Sequence, residues 1–175
     1  MIEQFERYED DVNIDDSRKR VEKVSLPLEN IVNNIVKEHI GNLENVIHKI
    51  RDMLNDETDQ LTDIEIDDIM LQLPILLFDN TDDQELVGMQ SDLSSQIYKE
   101  AYNEAFKLAR GTVADKTSAA ELTAMTQKLD TLIYDRAYKI IKQKINMAVE
   151  TLNAVKKIQS SRQQRYDLDR FRTKF

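Results

Sequence analysis

A long stretch without helix breakers limits what this chain can fold into. From about Ala119 to beyond Ser160 the sequence contains neither glycine nor proline. Apolar residues inside it alternate by four and three, the spacing of a heptad seam: Tyr134, Tyr138, Ile141, Ile145, Ala148, Leu152 and Val155. At 1.5 Å per residue, such a helix extends on the order of 60 Å, which is too long to bury inside one small domain. The sequence predicts a long helix that packs lengthwise, with part of its seam left for other subunits.

The composition points to the same fold class. Only three glycines, two prolines and 6% aromatic residues leave little turn chemistry for a many-stranded sheet, and 33% of the 175 residues are charged. We therefore expect an all-α protein, built from a long antiparallel helical hairpin and additional N-terminal helices, which assembles into an oligomer. Three regions follow: an acidic N-terminal helical region (1–97), the hairpin (98–165) and a basic tail (166–175).

The N-terminal region carries two further helix patterns. A first helix is predicted over Leu28–Leu54 with Pro27 at its start, because a first turn needs no backbone donor there. Its apolar stripe steps by four and three through Val32, Val36, Ile40, Leu43, Ile47, Ile50 and Leu54. A capping box of Thr62 and Glu65 then opens a short acidic helix, which Pro74 ends or kinks.

The helix before the long one is predicted to begin at a capping signal, Thr81 with Gln84, and to reach Arg110. Its predicted packing face holds Leu86, Met89, Leu93, Ile97, Ala101, Ala105 and Leu108. Gly111 stands where a left-handed C-terminal cap is wanted, and Ser118 with Glu121 forms another capping signal.

The segment "GTVADKTS" is therefore interpreted as a bend between two helices. A phosphate-binding loop would end in Gly-Lys-Ser/Thr, whereas here Asp115 precedes the lysine. The bend is strongly favoured over a nucleotide site.

Charge is distributed very unevenly along the chain. Residues 1–100 carry a net charge of −16 and residues 101–175 carry +7. Between Asp52 and Asp92 there are thirteen acidic side chains and no basic one, whereas the region from Arg136 to Phe175 has a net charge of +8. A polyanion would bind the second region and avoid the first.

The basic third is the candidate nucleic-acid-binding region. Cations there can follow phosphates while Tyr166, Phe171 and Phe175 stack on bases, which is how single strands are held without sequence readout. The alternative is a solvated basic face that neutralises the acidic half, within the chain or between subunits. The candidate contacts are Arg110, Lys116, Arg136, Lys139, Lys142, Lys156, Lys157, Arg162, Arg165, Arg170, Arg172 and Lys174.

Catalysis is not expected from these residues, and neither a cofactor nor a metal site is predicted. The two histidines, His39 and His48, lack a set of metal ligands at a suitable spacing, although Glu44 lies one turn before His48. The absence of cysteine is compatible with a reducing cytoplasm, in the host cell if the protein is viral. The longest apolar run, 69–78, is too short to span a membrane, so a soluble protein is expected.

Four consecutive segments carry a resemblance to a known family: "EAFKLARGTVADK", "TSAAELTAM", "IYDRAYKIIKQKINMAVETLNAVKKI" and "SSRQQR". Their order is similar to that of phage recombination mediators of the UvsY type, over about Tyr98 to Arg165, some 40% of the chain. Arg110 and Lys116 flank the matched bend, and Arg162 closes the matched helix. The acidic segment 55–92 has no counterpart in the pattern.

The resemblance implies a small helical protein that forms a ring of about half a dozen subunits. Such mediators bind single-stranded DNA, help to displace the single-strand binding protein and load a RecA-like recombinase, with no chemical step of their own. Strand contacts would then add up around the ring.

Two other classes stay open on the sequence alone. One is a helical structural or adaptor protein of a phage assembly with no nucleic-acid binding. The other is an acidic decoy, in which residues 52–92 imitate nucleic acid and engage a basic protein surface.

Overall fold

The structure, a computed structural model, describes residues 14–55 and 61–172. Four helices fill these ranges: α1 (Ile14–Asn55), α2 (Asp63–Leu108), α3 (Val113–Thr123) and α4 (Met125–Arg172). The described residues contain no strand, which confirms the all-α prediction. Across the same residues, none of the helices offers an apolar run long enough to span a bilayer.

Contacts between α2 and α4 fix their relative direction. Gln159, near the C-terminal end of α4, donates a hydrogen bond to Asp67 near the start of α2, at 3.1 Å. Farther along both helices, Tyr138 of α4 packs beside Gly88, where a Cβ atom would lie 3.2 Å from the tyrosine ring. Residue numbers fall along α2 as they rise along α4, so the two helices run antiparallel.

The first helix completes a bundle with this pair. Leu28 of α1 lines a groove with Ile133 of α4, and Ile47 lines the next groove with Met147, so α1 and α4 run parallel. The predicted seam of α4 is buried at Ile141, Ile145, Ala148, Leu152 and Val155, and Tyr134 and Tyr138 are half-buried. The α1 stripe is likewise buried at Val32, Val36, Ile40, Leu43 and Ile50.

The second helix differs from its prediction in two ways. It runs unbroken through Pro74 and Thr81, and the Thr81 hydroxyl donates to the carbonyl of Leu77 (2.8 Å) instead of capping a new helix. Its buried residues recur at intervals of seven, at Ile66, Leu73, Asn80, Val87 and Ser94. The predicted packing face is wrong, because its large residues are exposed: Leu86 42%, Met89 63%, Leu93 57%, Ile97 47% and Leu108 83%.

The first helix starts earlier than predicted. Pro27 lies inside α1 and is exposed, so its missing N–H falls within the helix and not at its start. Ile40 has non-helical backbone angles (φ −126°, ψ 16°), which place a kink in the middle of α1.

The predicted bend after α2 is present, with a different cap. The C-terminal cap of α2 is Ala109, with extended backbone angles, and not Gly111 as predicted. Gly111, two residues later, has φ +113°, in the region that favours glycine. Thr112 then caps α3 in a capping box with Asp115, whereas the predicted capping residue Ser118 lies inside α3. Ala124 separates α3 from α4, so the predicted long helix is in two pieces.

The expected region boundaries fall within helices. α2 continues through residues 97 and 98, and α4 continues through residues 165 and 166.

Candidate nucleic-acid interface

Packing of the α4 seam decides which of its side chains reach solvent. Since the seam faces α1 and α2, side chains on the remaining surface of this helix reach solvent, although Arg136 and Lys139 also line the groove between α1 and α4. Five exposed cations occupy that surface, and they define the outer face of α4: Arg136, Lys139, Lys142, Lys156 and Lys157. From Arg136 to Lys157 the face extends about 30 Å at the rise of an α-helix.

The outer face is poor in acid. Between Arg136 and Lys157 the sequence contains one acidic residue, Glu150. Lys139 pairs at 2.7 Å with Asp135 one turn earlier, but its side chain is still 63% exposed. Such an exposed pair within one helix contributes only about 0.3–0.5 kcal/mol and can yield to another anion.

Glu29 of α1 lines the same groove as Arg136 and Lys139, but no carboxylate of α1 or α2 among the described residues forms an ion pair with the outer face. Within the described residues, no ion pair involves Arg136, Lys142, Lys156 or Lys157. The Lys142 ammonium lies 5.9 Å from the centre of the Tyr138 ring, a cation–π contact that leaves its hydrogen-bond donors to solvent. Among the described residues, therefore, no carboxylate pairs directly with these four side chains, which is what internal neutralisation of the basic face would require.

Two other cations of α4 are engaged by the acidic half. Arg162 donates to Asp63 at 2.9 Å, and its side chain is only 24% exposed. Lys144 pairs with Glu44 of α1. These contacts hold α4 to α2 and α1. Arg162 was predicted as a DNA contact, but its side chain pairs with α2 and is not part of the outer face.

The bend cations lie far from the C-terminal ones. Arg110 is exposed after the end of α2, whereas Lys116 is half-buried in the first turns of α3. Arg165 lies near the start of α2, because its neighbour Arg162 pairs with Asp63. The length of α2, 46 residues or roughly 70 Å, separates the two groups, so the predicted residues do not form one compact site.

The bend carries its own electrostatic feature. The Asp115 carboxylate accepts hydrogen bonds from the Thr112 hydroxyl (2.8 Å) and from the Thr112 backbone N–H (2.9 Å). Both bonds lower the pKa of Asp115, and the bond from the hydroxyl has the larger effect. Thr62 lowers the pKa of Glu65 in the same way, with its backbone N–H the larger cause. Both carboxylates serve helix caps, which explains the acid at each position without a ligand.

The last turns of α4 combine cations with exposed apolar rings. Arg165 and Arg170 are exposed, as are Tyr166 (64%) and Phe171 (67%). Arg172 lies in the final turn of α4, whereas the predicted contact Lys174 lies outside the described residues. The predicted pairing of bases with aromatic rings can therefore be tested at Tyr166 and Phe171.

Residues that the sequence pattern did not single out border the outer face. Lys128 is exposed two heptads before Lys142, on the same side of α4. On α1, Arg51 and His48 line a groove shared with Gln143 of α4. The heptad register could have identified Lys128, but Arg51 precedes the acidic segment, and only the packing of α1 brings it to this groove.

Other kinds of site are not indicated in the described part of the chain. No group of three or more His, Cys, Asp or Glu side chains there is arranged to hold a metal ion. His39 instead lies 3.1 Å from Asp83 of α2, and Glu44 is taken by Lys144.

Neither a family model, nor a curated protein, nor a solved structure matches this chain. A function can therefore be argued only from the arrangement of its own residues.

Proposed function

We propose that this protein binds single-stranded DNA through the outer face of α4 and acts as a non-catalytic recombination mediator. In this role it helps to load a RecA-like recombinase onto a strand that carries a single-strand binding protein. The proposal depends chiefly on one observation: four of the five cations of the outer face have no ion pair among the described residues.

The shape of this face suits a single strand better than a base-reading site. A row of cations along one helix can follow the phosphates of a strand without reading its bases. The polar neighbours Gln143, Asn146 and Asn153 are exposed between the cations and can donate hydrogen bonds to a strand. Binding with little sequence preference is what a mediator requires.

Mediation would be a thermodynamic effect and needs no chemical step. A homo-oligomer such as a ring would add the strand contacts of several subunits, so that weak individual contacts combine into a high overall affinity. Exposed apolar residues at the start of α1, among them Val21, Val24 and Leu26, are candidate contacts between subunits.

Salt dependence gives a quantitative test. If five cations contact phosphates, the logarithm of the association constant should fall with the logarithm of salt with a slope of about −3.5. Fluorescence anisotropy with a labelled oligothymidylate, at several salt concentrations between 50 and 200 mM, measures this slope. An equally long duplex should bind more weakly.

A charge-neutralising variant identifies the surface. Replacing Arg136, Lys142 and Lys157 by Gln should flatten the slope by about 2 and weaken binding roughly 100-fold at 0.1 M salt. A matched control replaces three exposed lysines elsewhere by Gln, at positions 49, 99 and 107. Equal losses in the two variants would mean that binding follows net charge and not the outer face.

A second function, a structural or adaptor role in a phage assembly, is favoured by the exposed apolar face of α2. It predicts no salt-dependent binding of single strands, so the same titration separates the two.

A further inference from the structure

The outer side of α2 carries an apolar stripe that the bundle does not use. Ile64, Leu71, Ile75, Phe78, Leu86, Met89, Leu93 and Ile97 are between 42% and 75% exposed. At about 100° per residue they fall on one side of the helix, opposite the buried series that starts at Ile66 and Leu73. The stripe runs about 50 Å along the helix. Exposed apolar surface of this extent along one helix is typical of an interaction site.

Acidic side chains border and interrupt the stripe. By the same helical spacing, Asp68 and Asp79 lie along one edge, Glu85 and Asp92 along the other, and Asp82 within it. All five are exposed, and no ion pair to them occurs among the described residues. No Lys or Arg occurs between Asp52 and Asp92. This surface would repel both nucleic acid and a second acidic surface.

Charge therefore selects the occupant. Two copies paired antiparallel about the middle of this stripe would bring Asp82 and Glu85 of one copy near those of the other, and like charges at such an interface are unfavourable. A basic partner also has to supply apolar side chains along most of the 50 Å length.

The rest of this chain offers no such segment among its described residues. Along the basic outer face of α4, Met147 and Val149 are the exposed large apolar residues. The exposed apolar residues at the start of α1 and at the end of α4 cover roughly 15 Å or less in each case.

We propose that the outer side of α2 is a docking surface for a basic amphipathic helix of a partner protein. The partner helix lays an apolar face with i, i+3, i+4 and i+7 spacing along the stripe, as in helix-in-groove recognition. Its flanking Lys and Arg side chains pair with Asp68, Asp79, Glu85 and Asp92, in the manner of charges beside a coiled-coil seam. The surface is independent of the proposed DNA contacts, which lie on α4.

Three synthetic helices test this chemistry with the full-length protein. The first is a labelled peptide of about 30 residues, long enough for the stripe at 1.5 Å per residue, with Leu on one face and Lys and Arg elsewhere. The second replaces its cations by Glu, and the third replaces its Leu by Ser. Anisotropy should show that the first peptide binds at least tenfold more tightly than either of the others. Equal binding of the acidic peptide would overturn the proposal.

Paired variants locate the surface. Phe78→Ser combined with Leu93→Ser should weaken the first peptide at least tenfold, since each removes a buried apolar contact at the interface. The control, Met147→Ser with Val149→Ser, removes exposed apolar side chains from α4 and should bind as the wild type does. Asp82→Asn with Glu85→Gln should weaken binding and flatten its salt dependence, with Glu121→Gln on α3 as its control. Unchanged binding by both stripe variants would overturn the proposal.

Two further measurements keep this inference apart from the others. The Phe78→Ser, Leu93→Ser variant should retain single-strand binding, so failure of DNA binding and failure of helix docking are separate results. Sedimentation velocity tests the competing occupant: if the wild type self-associates and this variant alone does not, a second copy occupies the stripe and the proposal is wrong.

Discussion

Asn80 offers a stringent test of how α2 packs. It belongs to the series of buried α2 residues that recur every seven positions, and it is only 4% exposed. Its side-chain nitrogen donates to the carbonyl of Leu76 at 2.6 Å, whereas its buried side-chain oxygen has no hydrogen-bond partner among the described residues. A buried acceptor without a hydrogen bond costs about 1–3 kcal/mol.

Asn80→Leu should therefore stabilise the protein. The substitution removes the unsatisfied oxygen, adds apolar surface to the core and keeps the same branched arrangement of four side-chain heavy atoms, so we expect a gain of about 2 kcal/mol. For a chain of this length, that gain raises the melting temperature by about 4–8 °C. Urea unfolding followed by circular dichroism measures the change in the free energy of unfolding.

Two companion variants show whether the reasoning is right. Asn80→Ala should be less stable than Asn80→Leu by about 2 kcal/mol or more, because it leaves a cavity. Asn80→Asp should be less stable than the wild type, since it buries a charge. If Asn80→Leu destabilises the protein, the amide has a partner that this arrangement of helices does not provide, and the register of α2 is wrong.

The bend yields two more predictions. Gly111→Ala should destabilise by about 2 kcal/mol, because φ is +113° there and the new Cβ would lie 2.8 Å from the Asp115 carboxylate; Gly41→Ala, which meets only ordinary contacts, is the control in thermal unfolding. Because the pKa of Asp115 is lowered on folding, its cap stabilises the fold fully at a pH above the pKa of the unfolded chain, about 3.9. This stabilisation is lost as the pH falls through the lower pKa of the folded protein. Carboxyl titration by NMR should show that Thr112→Val raises the pKa of Asp115 toward its ordinary value, and an unchanged pKa would argue against the cap.

Sequence periodicity predicted the helices with a single apolar face. The stripes of α1 and α4 could be found because polar residues occupy their opposite sides. α2 was different, since it is apolar on both sides and its core face includes the polar residues Asn80 and Ser94. The pattern therefore favoured the side with Leu86 and Met89, which is exposed.

Local signals predicted helix boundaries only where packing agreed with them. The capping box of Thr62 and Glu65 does start α2, whereas α2 ends at Leu108 with Ala109 as its cap, two residues before the predicted cap Gly111. At Pro74 and Thr81 the signals for a break are overridden, because α2 continues along α4 and its core series extends on both sides of them. The cap of α3 was not predicted because it uses Asp115 at the third position, where the capping-box pattern has Glu or Gln.

The candidate site was predictable in part for a similar reason. Once the seam of α4 is known, the helical repeat places Arg136 and Lys142 on its outer side. The pairing of Arg162 with Asp63 joins residues 99 positions apart, and it depends on how α4 is aligned along α2. No local pattern contains that alignment.

The account depends most on the outer face of α4 being open to a polyanion, and lysine footprinting tests this directly. The protein is acetylated briefly with and without an excess of oligothymidylate, and each lysine is quantified by mass spectrometry. Lys139, Lys142, Lys156 and Lys157 should react readily in the free protein and be protected by the strand, whereas Lys99 on α2 should react equally in both. If the strand leaves the four outer-face lysines as reactive as before, they do not bind it and the proposed function is wrong.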